Sequence, residues 1–321
     1  MKYYIGIDLG GTNIAIGIVD NEFNIISKKS IPTACPRSAN EIADDISNNI
    51  ISLLSDKNIS LNDVHWIGIG TPGSVNSQTG VVERAHNLGF IDTPLKMLIE
   101  ERLNTTCYVE NDANAAAYGE FLAGSAKGAD TAVCITIGTG IGGGIILNKK
   151  IFSGCNYYGA ELGHTVIEIN GKPCNCGRKG CMERYCSATA LIEQTKEAMS
   201  LDKDSLMWDE CKGQLNSVSG RTAFDAMRRN DNTAKRVVDK FIEYLACGCT
   251  NFVNIFQPDV LLIGGGISKE GETLLAPLRK IISNESFDKN PLKTTKVLAA
   301  SLGNDAGIIG AAFLGLLHNN Q

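Results

Sequence analysis

Apolar residues fall in short blocks from the start of the chain. Ile5-Gly6-Ile7-Asp8-Leu9 and Ile14-Ala15-Ile16-Gly17-Ile18-Val19 read as strands, with Gly10-Gly11-Thr12-Asn13 as the turn between them. Two β runs joined by a short Gly-rich turn predict a hairpin. From Ala39 to Leu54 the apolar spacing becomes helical. Trp66 to Gly70 reads as a short buried strand stopped by Pro72-Gly73. Tyr108-Val109-Glu110 is another, and it feeds into Asn111-Asp112 and a helical stretch from Ala113 to Leu122. Asn and Asp are good N-caps, and the alanine run is a strong helix former.

The opening pattern returns in mid-chain. Ala132 to Ile137 reads as a strand, Gly138 to Gly144 as a turn, and Ile145-Ile146-Leu147 as a strand. Two hairpins with Gly-Thr tips predict two similar half-domains facing one cleft. Ala188 to Met199 and Thr233 to Phe256 read as long helices. Asp259 to Ile263 is a buried strand ending in Gly264-Gly265-Gly266, and Ala306 to Leu317 a packed helix. Strands alternate with helices, which sets the class as α/β. The first domain is expected over residues 1–117 with the final helix, 303–321, returning to it. A larger second domain is expected over 118–302.

A length of 321 residues agrees with two domains at roughly 100–200 residues each. The 34 Gly against 8 Pro point to tight turns rather than low complexity. A net charge of −5 with no basic block argues against nucleic acid or an anionic membrane as partner. No apolar run nears the ~20 residues of a membrane span. The chain enters a strand pattern at once instead of a signal region, so a cytosolic protein is expected. In that compartment eleven Cys do not form a disulfide framework.

The Gly-rich turns carry the first chemistry. Asp8-Leu9-Gly10-Gly11-Thr12-Asn13 joins an acid, two glycines and a hydroxyl. Glycine lets backbone N–H groups approach an anion, and the acid suits Mg²⁺ beside the same phosphates. Alone this is equally an ordinary hairpin turn. Gly138, Gly140 and Gly143 formally match a dinucleotide fingerprint, but they run into a strand rather than a helix, which disfavours hydride transfer. The Walker lysine motif is absent. The third cluster, Gly264-Gly265-Gly266, could pass under an adenine or ribose. Three Gly clusters at strand ends favour a nucleotide.

Asn111 and Asp112 stand between strand and helix, where α/β sheets bind ligands. A carboxylate there can take a hydroxyl proton as general base, a role worth about 10²–10⁴-fold in rate. The competing reading is helix capping by either residue. The helix N-terminus should favour ionised Asp112. Cys174, Cys176 and Cys181 crowd into eight residues, with His164 ten positions upstream. Cys₃His is the full tetrahedral complement of structural zinc, leaving no open position for a reactive water. The set is bracketed by Glu161 and Glu183, whose carboxylates suit vicinal sugar hydroxyls or are solvated surface charges.

From Ile5 to Leu317 these motifs resemble the ROK family (repressors, open reading frames, kinases), in particular its sugar-kinase branch. The resemblance rests on Asp8 to Asn13, Gly70-Thr71-Pro72-Gly73, Glu110 to Asn114, Gly138 to Gly144, Glu161 to Glu183, and Phe256-Gln257-Pro258-Asp259 to Gly266. The spacing of His164, Cys174, Cys176 and Cys181 matches the family's zinc signature. The resemblance implies an actin-like ATPase fold of two RNase H-like domains around a central cleft. It implies ATP with Mg²⁺ as donor and a hexose or amino sugar as acceptor, with glucose at its 6-hydroxyl the first expectation. Asp112 would be the base. Asn87, Asn111, Asp112, Glu161, His164 and Glu183 would bind the sugar. Asp8, Gly10, Gly11, Thr12, Asn13, Gly138, Thr139 and Gly140 would serve the metal and phosphates, and Gly265 and Gly266 the adenosine. A homodimer is also implied.

Repressor members carry a helix-turn-helix ahead of the first hairpin. Here the first strand begins at about residue 3, so none is expected. Two alternatives stay open at this level. One is the same chemistry on N-acetylmannosamine, N-acetylglucosamine, fructose or allose. The other is a non-enzymatic sugar sensor that binds a partner protein. Residues 202–213 match nothing in the family pattern.

Overall fold

The computed structural model describes residues 2–290 and 294–318. The first stretch of chain forms β1 (Tyr3–Leu9), β2 (Asn13–Val19), β3 (Ile25–Pro32), α1 (Ala39–Ser55), β4 (Val64–Thr71), β5 (Ser74–Asn76), β6 (Val81–Ala85), β7 (Phe90–Thr93), α2 (Leu95–Leu103), β8 (Cys107–Asn111) and α3 (Asp112–Ala123). Then come β9 (Ala132–Ile137), β10 (Ile141–Leu147), β11 (Lys150–Ile151), α4 (Glu183–Cys186), α5 (Ala188–Leu201), α6 (Met207–Glu210), α7 (Thr222–Arg228) and α8 (Asn232–Phe256). The chain closes with β12 (Val260–Gly265), α9 (Glu272–Glu285), β13 (Lys296–Ala299) and α10 (Asp305–Ala312). It packs as two units. One holds the residues up to Asp130, Gly144–Ala160 and those from Ser301 on. The other holds Thr131–Gly143 and Glu161–Ala300. The boundary expected after residue 117 falls inside α3, a continuous helix.

In the first unit the sheet order is β3-β2-β1-β4-β8. The expected hairpin is present, with β1 and β2 antiparallel from Tyr4↔Val19 to Leu9↔Ile14. β4 and β8 continue the sheet in parallel. Side chains alternate across a strand. Ile5, Ile7, Leu9, Ile14 and Ile16 therefore share one core with Ile42, Ile46 and Ile50 of α1. Gly6 faces the other way, in register with Gly17 of β2 and Gly68 of β4. This glycine row receives α10. A Cβ on Gly6 would lie 1.9 Å from the Ile308 carbonyl oxygen, and one on Gly68 1.7 Å from that of Ala311. On its other flank α10 meets α3, where a Cβ on Gly310 would lie 1.7 Å from the Ala115 carbonyl oxygen.

The helix expected over Ala306–Leu317 is broken. α10 stops at Ala312, and a short 3-10 turn covers Leu314–Leu317. The Trp66 indole N–H donates to the Ala312 carbonyl at 2.6 Å, satisfying a helix-end acceptor, and Gly315 lies against the same ring.

In the second unit β12 pairs in parallel with both β9 and β13. The long α8 is capped by Asp231, which accepts the Ala234 N–H at 2.7 Å. Its apolar stripe, including Phe241, Leu245 and Phe252, is buried. The turn expected over Gly138–Gly144 is shorter. Gly138 N–H bonds the Gly140 carbonyl at 2.9 Å, and strand begins at Ile141. Residues 202–213 hold the single turn α6.

The glycine row yields the first prediction. Gly68→Ala forces α10 off the sheet and should cost the first unit about 3 kcal/mol. Urea denaturation followed by far-ultraviolet circular dichroism checks it as a lowered midpoint.

Candidate active site

Parallel pairing gathers the acids of the first unit at one sheet edge. Asp8 of β1 is in register with Gly70 of β4, Gly70 with Glu110 of β8, and Thr71 with Asn111. Asp112 follows at once as the first residue of α3. The carboxyl ends of three parallel strands thus present Asp8, Asn111 and Asp112 together, as the ligand rule for α/β sheets requires.

Capping is divided between these neighbours. Asn111 is the N-cap: its Oδ1 accepts the N–H groups of Ala113 at 2.9 Å and Asn114 at 3.1 Å, and its Nδ2 donates to the Gly73 carbonyl at 3.1 Å. Its other amide hydrogen goes to the Asp112 carboxylate. Asp112 accepts the Ala113 N–H at 2.8 Å through Oδ1. Its pKa is raised by burial, which outweighs the hydrogen bonds from the Ala113 N–H, its own N–H and the Asn111 side chain. The expected bias of the helix N-terminus toward the ionised form is therefore overridden. Asp8 is pushed up to about 6, by burial first and the Asp112 charge second. No cationic side chain among the described residues pairs with either acid. Two facing carboxylates without a cation are suitable donors for a divalent ion.

Behind them lies Glu110, 4% exposed, which the sequence did not single out. Its Oε1 accepts the Asn111 N–H at 2.8 Å and the Asn114 side-chain amide at 3.0 Å, and the Ser153 hydroxyl also bonds its carboxylate. It aligns the backbone that carries Asn111 and Asp112.

The first Gly turn is held from outside. Gly10 N–H donates to the Asn13 carbonyl at 2.9 Å, and the Thr33 hydroxyl to the Gly10 carbonyl at 2.6 Å. Thr12 accepts from the Thr33 N–H through its carbonyl at 2.8 Å. Asn13 opens β2 and is exposed. A Cβ on Gly11 would lie 3.0 Å from Cβ of Asn87, so the turn and Asn87 are neighbours.

In the second unit, the register Gly265↔Ile137 puts the ends of β9 and β12 side by side. The Gly138–Gly140 turn and Gly266 are therefore adjacent. Gly265 has a φ of +83°, and a Cβ there would strike the Ile137 carbonyl oxygen at 2.2 Å. At Gly138 and Gly266 a Cβ would meet nothing within 4 Å. The turn is held by the start of α5: Ala188 N–H donates to the Gly138 carbonyl at 2.9 Å, and the Thr189 hydroxyl to the Thr139 carbonyl at 2.8 Å. Thr189 was not singled out in the sequence. The Ser187 cap signal ahead of it marks the helix start but not its target.

Glu183 also reaches this turn. Its Oε2 accepts the Ile141 N–H at 2.8 Å and lies 2.3 Å from where a Cβ on Gly140 would be. Only Met182 separates it from Cys181. The four expected ligands do assemble: the ligand atoms of His164, Cys174, Cys176 and Cys181 all lie within 4.8 Å of one another. His164 Nδ1 is 3.5 Å from Cys174 Sγ, and Cys176 Sγ 3.6 Å from Cys181 Sγ. Ligand pairs about 3.5–3.8 Å apart suit a tetrahedral ion with bonds of ~2.0–2.3 Å. Gly180, at φ +76°, closes the knuckle where a Cβ would overlap the Glu168 carbonyl. Burial pushes the Cys181 thiol up to about 12, whereas the Arg178 N–H lowers that of Cys176. A bound cation removes the cost of gathering such thiolates. A metal on Nδ1 leaves the ring proton on Nε2. Glu161 is exposed and precedes the 3-10 turn Leu162–His164, which its carbonyl closes by accepting the His164 N–H at 3.1 Å.

Residues 4–317 match the model of the ROK family. The chain is 37% identical over 315 residues to a glucokinase of Halalkalibacterium halodurans, covering 98% of this chain and 94% of that protein. It is 30% identical over 320 residues to the xylose repressor of Bacillus spizizenii, covering 98% of this chain and 77% of the repressor. Among solved structures, a ROK family glucokinase from Streptomyces griseus in complex with glucose and AMPPNP superposes with a TM-score of 0.79 at 34% identity. That match covers 97% of this chain and 98% of the other.

Two measurements test this geometry. Asp8 is protonated more readily folded than unfolded, so its contribution to stability is full below about 3.8 and lost as pH rises through about 6. Asp8→Asn should therefore be more stable than the parent above about pH 7, by on the order of 2 kcal/mol, with the difference gone near pH ~4. Urea titrations across pH check this. The Cys₃His set should bind one thiophilic divalent ion per chain. Cobalt loading should give tetrahedral thiolate absorption bands, which Cys181→Ser should abolish.

Proposed function

We propose that this chain, which belongs to the ROK family, is an ATP-dependent sugar kinase that phosphorylates glucose at its 6-hydroxyl. Its α/β architecture is the actin-like ATPase fold. The observation that carries the reading is Asp112, the first residue of α3 at the carboxyl ends of the parallel strands, close enough to Asp8 for their charges to interact. The Streptomyces griseus relative, bound to glucose and a nucleotide analogue, supports both ligand classes.

In this reading Asp112 accepts the proton of the attacking hydroxyl. A raised pKa suits a base, since proton transfer is most effective when its pKa nears the working pH. Asn111 meets the sugar with the amide hydrogen it otherwise gives to Asp112, and Asn87 meets the sugar beside Gly11. Glu161, Glu183 and the Nε2–H of His164 supply further contacts to hydroxyls. For Glu183 the available atom is Oε1, since Oε2 holds Ile141. The N–H groups of Gly11 and Thr12, in the turn that Gly10 and Asn13 close, bind phosphate in the first unit. Those of Thr139 and Gly140, in the turn that Gly138 closes, do so in the second. Gly265 and Gly266 pass under the adenosine. Phosphoryl transfer is mostly positioning and electrostatics, so these fixed backbone donors are the main catalytic resource.

Asp8 would hold Mg²⁺, which supplies charge neutralisation at the phosphates when bound. His164, Cys174, Cys176 and Cys181 would hold structural zinc. A homodimer and a cytoplasmic location belong to the same reading. No described helix is long and apolar enough to cross a membrane.

The test is ADP release from ATP and Mg²⁺ across a panel of hexoses and N-acetylhexosamines. Glucose should give the highest kcat/KM. Asp112→Asn should lower kcat by about 10²–10⁴-fold with KM for sugar little changed. An absence of sugar-dependent release from metal-loaded protein would overturn the proposal in favour of a sensor.

A further inference from the structure

One buried charge in the second unit has no part in the chemistry above. The Glu270 side chain is 5% exposed, yet it carries a carboxylate. It ends the 3-10 segment Gly266–Glu270, which begins at the open glycine beside the Gly138–Gly140 turn. Its Oε2 is bound by Nη2 of Arg228, the last residue of α7. Nη1 of Arg228 is held in turn by Asp225 Oδ1 at 2.6 Å.

The segment is thereby fixed at both ends. At its start the Ser268 hydroxyl donates to the Gly265 carbonyl at 2.7 Å. In its middle Ile267 is buried, with Cδ1 3.0 Å from where a Cβ on Gly220 would be, just ahead of α7. At its end Arg228 holds Glu270. Gly271, at φ +58°, then releases the chain into α9. Arg228 is 42% exposed, so only the Glu270 end of the pair is buried. A carboxylate there carries a desolvation cost that an apolar side chain of similar volume would not. A charged pair instead fixes direction and register.

We propose that the Arg228–Glu270 pair is a positioning device for the nucleotide, holding the Gly265–Gly266 backbone at the height an adenosine needs. This rests on the nucleotide role assigned above to Gly265 and Gly266. Neither residue touches the reacting atoms. The device acts on ATP affinity and leaves sugar binding and the chemical step alone. It differs from a merely structural anchor, whose loss would affect both substrates or the stability of the whole unit.

The experiment is steady-state kinetics with both substrates varied, beside calorimetric titration of ADP with Mg²⁺ into the zinc-loaded chain. Arg228→Ala should raise KM for ATP and Kd for ADP about tenfold, equivalent to about 1.4 kcal/mol. KM for sugar and kcat at saturating ATP should stay within about twofold. Glu270→Gln, which keeps an acceptor for Arg228, should raise the same two constants about threefold. It carries the test alone should Arg228→Ala fail to fold. An unchanged ADP Kd in a folded variant, or a matching rise in both KM values, overturns the proposal. If the parent chain binds ADP but releases none with any sugar, the kinase reading falls while the ADP titration still decides the role of the pair. A parent chain that binds no ADP overturns both.

Discussion

The carbonyl oxygens of Ile308 and Ala311 occupy the space where side chains on Gly6 and Gly68 would stand. This backbone contact organises the first unit. It requires three small residues in register across β2, β1 and β4, and it brings α10 between sheet and α3. The same approach sets the electrostatics of the site. A Cβ on Gly307 would lie 2.9 Å from the Asp8 carboxylate, so α10 helps form the enclosure that raises the Asp8 pKa. Glu120, 1% exposed at the end of α3, accepts the Leu302 N–H at 2.7 Å and the Ser125 N–H at 2.9 Å. It thus anchors the chain just before α10. Scaffold and acid–base chemistry are one packing arrangement.

In the second unit a carboxylate does comparable work. Glu183 lies two residues beyond a ligand of the Cys₃His knuckle and holds the N–H that ends the Gly138–Gly140 turn. Met182, between them, donates its N–H to the Thr165 carbonyl at 2.8 Å, which ties the knuckle's two limbs together. One dipeptide therefore links the Cys₃His knuckle to the Gly138–Gly140 turn. The start of α5 holds that turn from the other side through Ala188 and Thr189.

What could be read in the sequence was local. The first hairpin, the Asn111-Asp112 cap, α1, α8 and the four metal ligands follow from spacing within about 25 residues. Harder features depend on partners remote in sequence. Glu110 and Glu270 look like ordinary acids until folding buries them, and the break at Phe313 depends on Trp66, 246 positions before Ala312. α9 was hidden by Pro277 inside it, and β3 by its exposed lysines. The mid-chain glycines suggested a longer turn because Gly142 to Gly144 resemble turn residues, although they lie within β10. The raised pKa of Asp112 was also out of reach, since a helix N-terminus is visible in sequence and enclosure is not.

The glycine row also has a consequence for the order in which the protein can be built. Residues 6, 17 and 68 leave the ribosome early, but the helix that covers them is not made until residues 305–312. At ~5–20 residues per second, the interval between the end of α3 and the end of α10 is roughly 10–40 s. Meanwhile the strands of the first unit carry an uncovered face, and β9 of the second unit likewise waits for β12 and β13, which are made just before α10. Both units are thus completed within the same short stretch of chain, β13 closing one sheet and α10 covering the other.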